Sequence, residues 1–273
     1  MLWEMALPFN TCWDRVDRAE IHRQSLIKVW NALDTDKVYS SGAEIDDNGN
    51  GKFFLYTVER DWLLPFSLQF GEMLYQLRAA LDSCVYDAAT LEFAQNPPPN
   101  EEQWGFPICV TEDKFDNAVR RMKNLPDRLR GMLETVQPYS RATGRANGYE
   151  WDLGQVLYIL NEWARIDRHR RLHLAGTAIS KGNLAFERIP GMSVEACDFQ
   201  VGEHVLEHNT EIARFKIAGW VPGKKMNVHG QFAFEIVIDE APRLSKLEEV
   251  GRAMLLSVIC VRESFESAYG ITR

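Results

Sequence analysis

The sequence predicts an α+β protein: a helical bundle core, a small antiparallel β-sheet, and a C-terminal helix that packs back on the bundle. Three patterns carry this. Residues 66–90 place Phe70, Met73, Leu74, Leu77, Leu81, Cys84, Val85 and Ala88 at i, i+3, i+4, i+7 spacing, which lines one face of a helix. Residues 195–241 change to alternating apolar and β-branched residues punctuated by Gly219, Gly223 and Gly230. Residues 245–269 return to helical spacing, with Leu247, Val250, Met254, Val258 and Phe265 on one face behind a Ser245/Glu248 capping box.

The chain of 273 residues reads as one domain, 1–273, with helix plus hairpin in 1–65, a helical core in 66–180, the sheet in 195–241 and a closing helix in 244–270. A content of 45% hydrophobic and 11% aromatic residues supports a sizeable core. The net charge of −8 excludes coating of nucleic acid or an anionic membrane by bulk charge, so any basic groove has to be built locally. Five widely spaced cysteines without a CxxC pair fit a reducing, cytoplasmic setting. No apolar run approaches the roughly 20 residues of a membrane span, and the first residues lack the layout of a secretory signal.

In chain order, residues 14–33 predict a helix with Val16, Ala19, Leu26, Val29, Trp30 and Leu33 among charged residues. Residues 37–45 and 52–59 predict strands around the turn formers Asp46 to Gly51. Asp46, Asn48 and Asn50 also match the first half of a calcium loop, but Thr57 stands where a bidentate Glu is needed, so a hairpin is expected. Residues 96–100 form a proline-rich break, and residues 104–108 (WGFPI) are expected to tuck back onto the core.

Thr111 is placed to cap a third helix that Pro126 splits into 115–124 and 126–136 and Pro138 ends. The excess of Arg120, Arg121, Lys123, Arg128 and Arg130 there is read as a solvated face. Residues 140–148 read as a polar loop. Residues 152–175 predict a fourth helix whose stripe, Leu153, Val156, Leu157, Leu160 and Ala164, runs on into Asp167. A carboxylate on an apolar face needs a cation or donors, and Arg78, on the shoulder of the central helix beside Asp82, is the partner expected for it. Such a pair would set the register of two helices.

His204-Val205-Leu206-Glu207-His208 fits the H-x-x-E-H string of zinc peptidases, which requires a helix, whereas its neighbours read as strands. No metal or cofactor is therefore assigned. The chain has no P-loop, GxGxxG or GxSxG string.

Four short strings carry a resemblance. Gln76-Leu77-Arg78-Ala79-Ala80-Leu81-Asp82-Ser83, Phe106-Pro107-Ile108, Gln137-Pro138-Tyr139 and Asp167-Arg168-His169-Arg170 resemble the NLRSALDH, FPI, QPY and DKHR strings of an uncharacterised family of bacterial and phage proteins. The likeness spans residues 66–175. The family's arginine, four residues and histidine pattern is in turn similar to the HEPN superfamily, helical domains in which an Arg and a His serve metal-independent RNA cleavage. The resemblance implies a site of Arg78, Asp82, Asp167, His169 and Arg170: Arg78 on phosphate, the two aspartates orienting it, His169 as acid or base. Ser83 holds the histidine position and has no near-neutral pKa. His169 lies about 160 degrees from Leu153 on the helical wheel, away from the core stripe unless a homodimer covers it.

Two functions follow as expectations. One is a non-catalytic or degenerate HEPN-like protein that binds a protein partner, as in bacterial and phage conflict systems. The other is a HEPN-like metal-independent ribonuclease or RNA-binding protein. A cluster open to a groove favours the second, a sealed one the first.

Overall fold

The computed structural model describes residues 8–33, 38–57, 63–146, 149–169, 174–199, 206, 209–240 and 243–271. It has the α+β architecture expected: helices α1 (Asn10–Asn31), α2 (Leu63–Phe93), α3 (Glu112–Val119), α4 (Asp127–Thr135), α5 (Leu153–His169) and α6 (Leu247–Ala268), with antiparallel strands between them. The chain, read from sequence as one domain, groups here into two compact units: residues 1–28, 67–172 and 248–273, and residues 29–66 and 173–247.

The first unit is helical. Every residue of the predicted stripe on α2, from Phe70 to Ala88, is fully buried. A buried Leu or Phe side chain is worth about 1.5–3 kcal/mol each, so this face is the main adhesive of the unit. The closing helix α6 packs back as expected: Phe265 meets Phe9 and Phe106 edge-on or tilted, and the Tyr269 hydroxyl donates to Glu92 at 2.9 Å. Gly251 of α6 sits against Met73 and Phe70 of α2, where a Cβ would come within 3.3 Å of the Met73 methyl. Thr111 caps α3 by accepting the Lys114 N–H at 3.4 Å. The basic stretch is a solvated face: Arg120, Arg121, Lys123 and Arg128 are exposed, with Arg130 paired to Asp116 at 2.7 Å, Arg120 donating to Asn117 and Arg128 over the Tyr269 ring. Part of the stretch expected as a loop is a strand: β3 (Thr143–Ala146) pairs with β4 (Tyr149–Asp152).

The second unit holds two antiparallel sheets. One runs β1 (Tyr39–Ile45), β2 (Asn50–Thr57), β7 (Thr210–Ala218), β6 (Ser193–Phe199). The other runs β5 (Leu174–Phe186), β8 (Val228–Glu240), β9 (Arg243–Lys246). Phe53, Leu55, Phe215 and Ile217 of the first share a core with Ile179 and Leu184 of the second, and the Tyr39 hydroxyl bonds Thr177 at 2.6 Å. The sheet structure is thus larger than residues 195–241. The sequence reading is corrected most at residues 174–186, where the helix expected to reach residue 175 has given way to β5. Residues 174–186 pair along β8, and Ile179 and Leu184 are buried in the core shared with the first sheet, so long-range pairing ends the helical pattern that holds through residue 169.

The Asp46–Asn50 turn is a hairpin. Its Asp46 carboxylate accepts the N–H groups of Asn48 and Asn50 and the Asn50 side-chain amide, which hold it below the usual carboxylate range. Lys216 Nζ donates to the Asn48 carbonyl and Asn50 Oδ1, so the protein supplies its own cation there. Gly49 needs its φ of 79°, and a Cβ on it would meet the Ile217 carbonyl at 2.6 Å. Of the H-x-x-E-H string only Leu206 lies among the described residues; its N–H donates to the Thr177 carbonyl. Among the described residues no group of three or more His, Cys, Asp or Glu side chains could hold a metal, and no helix is long and apolar enough to cross a membrane.

Candidate functional site

Arg78 and Asp82, four residues apart on α2, face the same way and bond at 2.6 Å through Nη1 and Oδ1. Asp82 Oδ1 also accepts the Phe106 N–H at 2.7 Å, and Arg78 Nη2 donates to the Phe106 carbonyl at 2.7 Å. Both polar groups of one residue are therefore held by one ion pair. Arg78 Nε donates to Asn161 Oδ1 on α5 at 3.2 Å. Three faces of the guanidinium are engaged by the protein's own acceptors.

The same segment is gripped from its other side. Gln137, fully buried, donates through Nε2 to the carbonyls of Pro107 and Leu133 at 2.9 and 2.8 Å, and its Oε1 accepts the Cys109 N–H at 2.8 Å. Residues 106–109 have no helix or strand to satisfy their backbone groups, and buried backbone polar groups must be paired. The strings around Arg78, Phe106 and Gln137 are thus one hydrogen-bonded assembly: two side-chain clamps on one extended stretch.

Asp167 is not the partner of Arg78. Arg78 bonds Asp82, Asn161 and Phe106 instead, because Asp82 is on the same helix and needs no alignment of two helices to reach it. Asp167 rests on Gly71 of α2, where a Cβ would lie 2.5 Å from its Oδ2. Gly71, missed in the sequence reading, left a signal: glycine inside a helix costs about 1 kcal/mol relative to alanine, so a glycine within the strongest helical stripe marks a close approach. Asn161, also missed, lies on the helical face of Leu157, Ala164 and Arg168.

Burial raises the Asp167 carboxyl above its usual range, and the neighbouring Glu72 carboxylate adds to the effect. Since the folded pKa exceeds the unfolded one, this group favours folding most below its unfolded pKa, and that contribution is lost as pH rises through the folded value. Asp167→Asn is accordingly expected to raise stability at neutral pH and to leave stability near pH 3 unchanged, as read from urea melts across pH.

Arg78, Asp82 and Asp167 line one groove of about 380 Å³ between α2 and α5, with Tyr75, Ala79 and Arg168 among its other walls. It is open, and Arg78 and Asp82 keep 20% and 43% of their side-chain surface exposed. His169, in the last turn of α5, is exposed and does not line the groove. Arg170 lies outside the described residues. Ser83 donates to the Ala79 carbonyl, so its hydroxyl is tied to its own helix. The site brings together Arg78, Asp82 and Asp167 of the expected set, adds Asn161 and the Phe106 peptide, and leaves out His169. The chain matches none of the family models, curated proteins or solved structures with which it was compared.

Proposed function

We propose that this is a non-catalytic, HEPN-like helical protein that acts by binding a protein partner, with the groove between α2 and α5 as its docking surface. The cluster is open, which by the criterion of exposure alone favours RNA; the observation that outweighs it is the occupancy of Arg78, whose donors hold Asp82, Asn161 and the Phe106 carbonyl and so give the guanidinium a structural role. Beside it, Leu68 and Tyr75, one heptad apart on α2, are 57% and 55% exposed along the groove. Glu72 and Asp167 face the same opening. This combination fits a partner segment that presents an apolar side chain and a Lys or Arg, since a cation there would relieve the repulsion between the two carboxylates.

A photo-crosslinking residue at position 75 is expected to capture such a protein, and one at exposed Lys123 is not. Leu68→Asp is expected to weaken binding of the captured protein at least about tenfold with folding intact. Binding unaffected by Leu68→Asp overturns the reading, and capture of RNA in place of protein favours its rival. That rival, RNA binding or metal-independent cleavage, is supported by the openness of the groove and by the two cations, Arg78 and Arg168, on its walls.

A further inference from the structure

Inside the helical unit, away from the groove, Cys12 of α1 and Cys84 of α2 are fully buried with their sulfurs 3.1 Å apart, the Cys84 thiol donating to Cys12. A disulfide needs about 2.05 Å, so closure asks for a movement of about 1 Å. Arg262 of α6 is 2% exposed and stands within electrostatic reach of both cysteines. It lies against the Trp13 ring, 2.9 Å from its centroid, and reaches Glu266 with Nη2 at 3.4 Å. Its Nε and Nη1 are buried without a hydrogen-bond partner. A guanidinium with unused donors is costly to bury. Glu266 and, at 3.7 Å, Glu263 pair with Nη2 alone, which leaves two donors without an acceptor, and a Cys12 thiolate is an anion that would add to the neutralisation of this cation. Burial pushes the Cys84 thiol well up, and the Asp87 carboxylate, which accepts the Phe9 N–H at 2.7 Å, adds to that, so Cys84 keeps its proton.

We propose that Cys12 and Cys84 are a reversible redox pair, closed to a disulfide by a hydroperoxide, with Arg262 as the positioning residue that steadies the attacking Cys12 thiolate. Cys12 Sγ attacks the peroxide oxygen, the O–O bond breaks, and the departing oxygen takes up a proton, leaving Cys12 as the sulfenic acid. Cys84 Sγ then attacks Cys12 Sγ, the S–O bond breaks, and water leaves with the Cys84 proton. The sulfur pair gives up two electrons and the peroxide gains them. The new bond ties α1 to α2 at the centre of the unit.

The test treats the full chain with hydrogen peroxide, unfolds it in denaturant, tags free thiols with a maleimide and maps the peptides. It is run on wild type and on a Cys109→Ser, Cys197→Ser, Cys260→Ser variant. Cys12 and Cys84 are expected to vanish together into one crosslinked peptide that dithiothreitol restores. Arg262→Met is expected to slow closure at least about tenfold and Arg262→Lys to recover most of that rate, both checked for folding by urea melts. The proposal fails if both thiols stay reduced in the native wild type at a dose that fully oxidises exposed Cys197. It fails equally if they oxidise to separate sulfinic acids, or if Arg262→Met closes as fast as wild type.

Discussion

Gln137→Ala is expected to lower the free energy of unfolding by roughly 3–5 kcal/mol, seen as a lower urea midpoint at an unchanged slope. The side chain is fully buried and makes three hydrogen bonds, each to a backbone group. Truncation leaves the Cys109 N–H and the carbonyls of Pro107 and Leu133 without that partner inside the protein. An orphaned buried group costs about 1–3 kcal/mol. Gln137→Glu separates hydrogen bonding from volume. Its carboxyl keeps the size but presents acceptors to two carbonyls, so it folds best protonated. Stability of that variant is expected to be greatest below the unfolded glutamate pKa of about 4.3 and to fall as pH rises. Faster hydrogen exchange at the Cys109 amide in both variants would locate the damage.

Arg78→Ala is expected to cost roughly 2–3 kcal/mol, reduced from the value for a sealed pair because the guanidinium retains some solvent exposure. The loss falls on three acceptors at once: Asp82, Asn161 and the Phe106 carbonyl. Arg78→Lys keeps the charge without the planar fork, and one ammonium cannot span acceptors on α2, α5 and the 106–109 segment together. It is therefore expected to recover only part of the loss in the same urea melts.

The helical half of this fold was legible because each of its faces is built locally. The stripe from Phe70 to Ala88 follows from spacing alone, and spacing also sets Arg78 and Asp82 on one side of the helix, although the partner expected for Arg78 was Asp167. What the sequence hid are contacts made across long distances in the chain. Residues 174–186 carry no strong alternation, and their strand state depends on β8, 53 residues away in sequence for the Ser180 to Ala233 hydrogen bond. Asp167 was expected to pair with Arg78, yet it lies at the open groove, where Gly71 leaves room for it and burial and Glu72 push its carboxyl up. Spacing also placed His169 away from the core stripe, in keeping with its exposure and its absence from the groove walls. Gln137 illustrates the remaining gap. A glutamine between a helix and a proline carries no sign of burial, and only the backbone groups it meets make it indispensable.

The Arg78 cluster holds the chain at Phe106, and the proposed function gives it no chemistry. The most direct test of that function is metal-free incubation of structured and single-stranded RNA with wild type, Arg78→Ala and His169→Ala, each first shown to be folded. Intact RNA is expected in all three, with a lowered urea midpoint for Arg78→Ala alone. Cleavage by wild type that disappears in folded Arg78→Ala or His169→Ala would contradict the proposed function.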